Sequence, residues 1–163
     1  MKFETKAIHA GLKIGNPSSA IIPPLSPSNV YEIDKEGRKQ GDLHYSRLDN
    51  PNRAQFEHLI SSLEGGETAA AFSSGIAAAA AVLMALDPGD HIIIPEDVYA
   101  GNRKMVQGIM MRWGLKASFI NMTELTEIEG HVQPETKLIW IETPSNPLMR
   151  VTDIRTVTGF AKK

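Results

Sequence analysis

The chain has 163 residues, a length that suits one domain of ordinary size. Its 17 Lys and Arg against 19 Asp and Glu give a formal charge of −2, which speaks against a nucleic-acid surface built on clustered positive charge. There is no cysteine, so a disulfide scaffold, a thiolate zinc site and a cysteine nucleophile are excluded, and 42% hydrophobic with 22% charged residues describes a globular chain.

Residues 1–50 differ from the rest. They hold Pro17, Pro23, Pro24 and Pro27 with Gly11, Gly15, Gly37 and Gly41 spread between them, and no long window keeps a helical period. The pattern predicts an irregular arm, with Ile22-Pro23-Pro24-Leu25 extended because a residue before proline avoids the helical region. An arm this long needs another surface to lie on, either the rest of the chain or a partner subunit. The expected division is therefore an arm over 1–50 and an α/β domain over 51–163.

From Asn50 onward, strands and helices alternate. Asn50-Pro51 is a cap followed by proline at the first helical position, Phe56, Leu59, Ile60 and Leu63 fall at helical spacing, and Gly65-Gly66 stops the helix. Residues 68–73 read as a short strand, 75–86 as an alanine-rich helix ended by Asp87-Pro88-Gly89, and 91–95 as a buried strand. A helix follows over 102–113, closed by Gly114. Next come a strand over 116–120, a weak helix over 125–131, a strand over 137–142, and a last helix capped by Asp153. This order predicts a mostly parallel sheet with helices on both faces, joined by right-handed crossovers. A layer that closes on a crossover helix is expected to lack a following strand. The longest apolar stretch, 76–86, is too short to span a bilayer, and Met1-Lys2-Phe3-Glu4-Thr5-Lys6 has no apolar core of a secretory leader. The expectation is a soluble cytoplasmic protein with neither a membrane nor a nucleic-acid partner.

Several segments carry chemistry. Phe72-Ser73-Ser74-Gly75-Ile76-Ala77 sits where the chain enters a helix, whose first N–H groups have no internal partner and whose dipole favours an anion. The segment reads either as an ordinary serine-capped helix start or as a phosphate cradle, with Ser74 adding a hydroxyl to the N–H groups of Gly75 and Ile76. Ala77 to Ala81 are either plain helix formers or small side chains that let a flat ligand lie close. Tyr99 follows the strand at 91–95, at the carboxyl edge where ligands of such sheets collect, and is either a stacking ring or a packed loop tyrosine. Tyr45 and Arg47, two apart in an extended loop, point the same way and either clamp a phosphate or stand in solvent. In Glu142-Thr143-Pro144-Ser145-Asn146-Pro147, Asn146 is either a donor for a phenolate oxygen or part of a proline-rich turn. His9, His44, His58, His91 and His131 show no metal-ligand spacing, so no metal is expected. Neither a dinucleotide glycine fingerprint nor a nucleotide phosphate loop is present.

Taken in order, these segments are more specific than any one alone. Thr5-Lys6-Ala7-Ile8-His9-Ala10-Gly11, Pro23-Pro24, Tyr45-Ser46-Arg47 with Asn50-Pro51, Phe72-Ser73-Ser74-Gly75, Pro88-Gly89-Asp90, Asp97-Val98-Tyr99, and Thr136-Lys137 through Ile141-Glu142-Thr143-Pro144-Ser145-Asn146-Pro147 run nearly the whole chain. The chain resembles the amino-terminal part of the pyridoxal-phosphate enzymes of cysteine and methionine metabolism, the cystathionine synthase and lyase family. The resemblance implies the amino-terminal portion of the fold-type I transferase large domain and pyridoxal 5′-phosphate as cofactor. It further implies elimination or γ-replacement on a sulfur amino acid or activated homoserine.

Position by position, Ser74, Gly75 and Ile76 would hold the cofactor phosphate. Tyr99 would stack on the pyridine and assist proton transfer, and Asn146 would bond the phenolic oxygen with Glu142 nearby. Tyr45 and Arg47 would reach a neighbouring subunit's phosphate, so a homo-oligomer, dimer or tetramer, is implied, with the arm wrapped on a partner. Asn52, Ala100-Gly101-Asn102 and Ile76 depart mildly from the family's usual text. The family's Schiff-base lysine, its pyridine-nitrogen aspartate and its substrate-carboxylate arginine fall beyond position 163. The expectation is thus an incomplete copy, inactive alone. A binding or oligomerisation module derived from such an enzyme, and an unrelated α/β phosphate-binding enzyme, are the alternatives.

Overall fold

The computed structural model describes residues 1–12, 20–39, 41 and 43–162. Gly15 and Pro17 of the arm, and Lys163, to which the last helix is expected to run, lie outside the described residues. The chain divides into two compact units, Met1–Phe72 and Ser73–Lys163.

In the first unit a short helix α1 (Phe3–His9) packs against α2 (Pro51–Glu64). Among its described residues, the irregular arm expected over 1–50 thus contains a helix. Its seven residues bury nothing on their own, and tertiary contact rather than an amphipathic period holds it. Gly11 makes that contact possible: at φ +81, a Cβ there would sit 2.5 Å from the Gln55 carbonyl oxygen. The Lys6 ammonium also donates to the Ser62 carbonyl at 3.2 Å. Helix α2 starts and stops where the sequence predicts. The Asn50 side chain accepts from the N–H groups of Asn52 and Arg53, and Gly65 ends the helix in the left-handed region.

Pro24, Ser26 and the turn at Arg47 and Leu48 are held by side chains at the start of α2. Asn52 accepts from the Ser26 N–H (2.8 Å) and donates to the Pro24 carbonyl (3.0 Å), while Asn50 donates to the Ser26 carbonyl. Arg53 donates to the carbonyls of Arg47 (3.1 Å) and Leu48, which fixes the turn that carries Tyr45 and Arg47.

The strand expected over 68–73 is not formed. The Ala71 N–H goes to the Glu57 carboxylate at 2.9 Å instead of to a neighbouring strand, and most of the segment is exposed. Extended backbone becomes a strand only where a partner pairs with it.

The second unit is built on β1 (His91–Pro95), β2 (Lys116–Ile120) and β3 (Thr136–Ile139), all parallel, in the order β2-β1-β3. β1 is buried over its whole length, as its run of β-branched residues requires for a central parallel strand. Alternation sends its side chains to two layers. Ile92 and Ile94 cluster with Ala79 and Leu83 of α3 (Gly75–Leu83) and with Met105, Val106 and Met110. Ile93 clusters with Ile120, Met122, Ile128 of α6 (Leu125–His131) and Val157 of α7 (Ile154–Ala161). Each of these buried aliphatic side chains contributes about 1.5–3 kcal/mol. The parallel sheet with helices on both faces is therefore present.

Helix boundaries differ in detail from the sequence reading. The helix expected over 102–113 begins earlier, as α4 (Ala100–Met105). It passes through a π-helical turn at Val106–Met110 that keeps both of those end residues buried, and finishes as α5 (Met111–Trp113). β3 is shorter than expected, and Trp140 to Glu142 continue beyond it. α7 is capped by Asp153, whose carboxylate accepts from the N–H and hydroxyl of Thr156. No helix among the described residues is long and apolar enough to cross a membrane.

One buried polar group joins the three strands. His91, 1% exposed, bonds Thr136 Oγ1 through Nδ1 (2.7 Å) and Ser118 Oγ through Nε2 (2.9 Å). Burial pushes its pKa below the ordinary imidazole value, and Glu135 opposes that shift.

Candidate cofactor-binding site

The carboxyl ends of β1 and β3 lead into the segments that carry Tyr99, Glu142 and Asn146. A pocket of about 640 Å³ opens there, lined by Ser74, Gly75, Ile76, Ala78, Ala79, Val82, Tyr99, Asn102 and Trp140. That volume lies within the range of about 300–1,000 Å³ usual for small-molecule sites.

Its floor is the start of α3. Ser74 caps the helix by accepting from the Ala77 N–H at 3.2 Å, and the Ala78 N–H reaches the Ser74 carbonyl. The cap consumes a lone pair of the serine oxygen, which leaves the hydroxyl hydrogen to donate outward. The two sequence readings of this segment are thus compatible. The N–H groups of Gly75 and Ile76 precede the first intrahelical bond and stay available. A Cβ built at Gly75 meets nothing within 4 Å. The fold itself does not require glycine there, and the missing side chain leaves open space at the helix start. Ala78 and Ala79 line the same pocket, where their small side chains take up little of its volume.

Tyr99 forms one wall and is half exposed. Its N–H donates to both oxygens of Glu142, at 3.0 and 3.1 Å. The same carboxylate accepts from the Asn146 N–H at 3.2 Å. Glu142, Tyr99 and Asn146 are therefore brought together, although Glu142 and Asn146 are not part of the pocket lining. Tyr99 lies close over Gly101, where a Cβ would stand 2.5 Å from its Cε1.

The loop bearing Asn146 is fixed from below. Ser145, buried, donates to Asp97, and the Arg150 N–H donates back to Ser145 Oγ at 3.0 Å. Arg150 pairs with Glu96 at 2.6 Å, and that hydrogen bond raises the arginine pKa above its ordinary value.

Three lining residues, Val82, Asn102 and Trp140, were not singled out from the sequence as site residues. Trp140 donates its N–H to the Ile93 carbonyl at 2.8 Å and faces the pocket just past β3; an aromatic at the carboxyl end of a strand was the available signal. Asn102 has a buried Oδ1 without a hydrogen-bond partner, a feature no sequence pattern displays. Tyr45 and Arg47 belong to the first unit, where Arg47 donates to the Tyr45 hydroxyl and its guanidinium lies 5.0 Å from the ring centroid. The expectation that they point the same way holds. Among the described residues, no group of three or more His, Asp or Glu side chains is placed to hold a metal ion.

A parallel sheet with helices on both faces, and a pocket between a helix start and an aromatic wall at the strand ends, make this an α/β protein with a cleft of small-molecule size. The structure of metB from Corynebacterium glutamicum superposes with a TM-score of 0.93 at 31% identity, covering 99% of this chain and 42% of that one. Residues 4–163 match the Cys/Met metabolism PLP-dependent enzyme family, and the chain belongs to it.

Cystathionine gamma-lyase of Bacillus subtilis (strain 168) is 38% identical over 163 residues, 100% of this chain and 43% of the relative. Cystathionine beta-lyase MetC of Staphylococcus haemolyticus (strain JCSC1435) is 43% identical over 141 residues, 86% of this chain and 36% of the relative. The chain thus spans about two fifths of the length of the relatives it matches. Enzymes of the family depend on pyridoxal phosphate. The donor set here suits that group: two free N–H groups and a hydroxyl for a phosphate, alanines beneath, and Tyr99 for a planar ring.

Proposed function

We propose that this chain carries the phosphate-binding and ring-stacking part of a pyridoxal-phosphate site in an enzyme of sulfur amino-acid metabolism. The reaction is elimination or γ-replacement on cystathionine, cysteine or an activated homoserine. When bound, the cofactor supplies an electron sink for a carbanion next to the amino group. Gly75 and Ile76 bind the phosphate through their N–H groups, and Ser74 adds its hydroxyl. Tyr99 orients the pyridine by stacking and holds a phenolic proton beside it. Asn146 donates its side-chain amide to the phenolic oxygen.

Tyr45 and Arg47, already joined through hydroxyl and guanidinium, reach the phosphate held by a second copy of the chain. The enzyme is on this reading a homo-oligomer, dimer or tetramer, in which residues 1–50 contact the neighbour and 51–163 supply the cofactor domain. The exposure of Ile21 (89%), Ile22 (81%) and Leu25 (88%) supports a covering partner for that arm.

The observation that carries the proposal is the open space over Gly75, which the fold does not need and a phosphate does. Titration with pyridoxal phosphate, followed in the visible spectrum, tests it. Binding to the chain and its loss in Gly75→Val, with folding intact, is the expected result; equal binding by both overturns it.

A second reading concerns activity. Among the described residues, those that line the pocket include no lysine, so they offer no amine there to carry the cofactor covalently. The chain alone then binds without turnover, as a binding or oligomerisation module. Steady product release from cystathionine by the purified chain with cofactor would refute this.

A further inference from the structure

Glu142 is the most heavily used side chain near the pocket, yet it is not among the residues that line it. Both of its oxygens accept from the Tyr99 N–H, and Oε1 also accepts from the Asn146 N–H. We propose that Glu142 is a positioning residue: it sets the stacking ring and the amide donor relative to each other by holding their backbones, without touching the cofactor. The inference rests on the reading of Tyr99 and Asn146 given above.

The chemistry favours a carboxylate. Tyr99 and Asn146 sit on two different loops, 43 and 4 residues from Glu142 along the chain. Three contacts converge on one anionic group with acceptor sites on both oxygens, and charge-assisted bonds of this kind are about twice as strong as neutral ones. A glutamine with its oxygen in the Oε1 place still accepts from both N–H groups, but it carries no charge and turns an NH₂ toward the Tyr99 N–H that Oε2 now accepts, so both bonds weaken and the Tyr99 backbone is pushed away. Tyr99 has no side-chain cap of its own at the start of α4, so its backbone depends on Glu142 from one side while Gly101 admits its ring from the other. Moving the Tyr99 backbone tilts the ring, and a tilted ring loses its stacking geometry.

A double-mutant cycle on affinity for pyridoxamine 5′-phosphate tests this; that probe has no aldehyde to react with surface lysines. Glu142→Gln is expected to weaken binding about tenfold, and in a Tyr99→Leu background the same change is expected to weaken it less than about threefold. A purely structural role shifts the unfolding midpoint but leaves the two affinity effects independent, so an equal loss in both backgrounds overturns the proposal, as does undiminished binding by Glu142→Gln. Absence of saturable binding by the unsubstituted chain is a different result and refutes the cofactor site itself. Amide hydrogen exchange in the unsubstituted chain gives a readout that needs no variant. Slow exchange at both Tyr99 and Asn146, slowed further by the probe, is expected; rapid exchange at either overturns the proposal.

Discussion

Replacing His91 by leucine removes a buried imidazole that bridges three strands. Two hydrogen bonds disappear, to Thr136 Oγ1 at 2.7 Å and Ser118 Oγ at 2.9 Å. Thr136 Oγ1 keeps the Gln133 N–H as a donor at 2.8 Å, whereas the Ser118 hydroxyl is left facing an apolar side chain. Leucine recovers most of the packing, so the net cost at pH 7.5 is about 2–3 kcal/mol from the lost bonds and the stranded hydroxyl.

The pH dependence supplies a sharper signature. Burial lowers the folded-state pKa of His91, with Lys116 and His131 acting in the same direction and Glu135 against it. The unfolded chain therefore binds the proton more readily. The His91 contribution is complete above about pH 6.5, the ordinary value, and is lost as pH falls through that value toward the lower folded pKa, with a slope of at most about 1.4 kcal/mol per pH unit. Urea unfolding followed by tryptophan fluorescence is well suited, because Trp113 and Trp140 both lie in the Ser73–Lys163 unit. The gap between the unsubstituted chain and His91→Leu should narrow from pH 7.5 to pH 5. A gap that stays constant or widens on acidification refutes the reasoning.

Other substitutions probe the layers and the pocket separately. Gly101→Ala places a methyl group where the Tyr99 ring now lies; the ring can swing away, so the unfolding midpoint should change little while cofactor affinity falls, a split read by denaturation and titration together. Ile128→Ala empties a fully buried position beneath the sheet and should cost about 2–5 kcal/mol in urea unfolding. Arg53→Ala frees the turn at Arg47 and Leu48, and trypsin should cut after Arg47 markedly faster than in the unsubstituted chain.

How much of this was legible in the residues depends on the range of the interaction. β1 and its burial follow from His91-Ile92-Ile93-Ile94-Pro95 itself, and the caps at Asn50, Ser74 and Asp153 are local events encoded by the capping residue. The proposed phosphate-binding turn could be picked out for the same reason, since Ser74, Gly75 and Ile76 are consecutive residues at a helix start. Residues 68–73 misled because the short apolar run Ala69-Ala70-Ala71-Phe72 reads as a buried strand, and only the fold shows that Glu57 takes the Ala71 N–H. α1 was missed because it is shorter than any periodic window and depends on a glycine contact with Gln55. Glu142 could be placed near the site from its sequence neighbourhood, but its hold on Tyr99 depends on two loops meeting across the carboxyl edge of the sheet, which no spacing along the chain reveals.

The central claim is that the first turn of α3 was shaped for a phosphate. Proton–nitrogen correlation spectra of the chain, recorded during titration with pyridoxamine 5′-phosphate and then with pyridoxamine lacking the phosphate, test it most directly. The prediction is that the amide signals of Gly75 and Ile76 move saturably with the phosphorylated probe and far less with the other. Signals of those two amides that stay fixed while the probe binds elsewhere, or that move equally with both probes, contradict it.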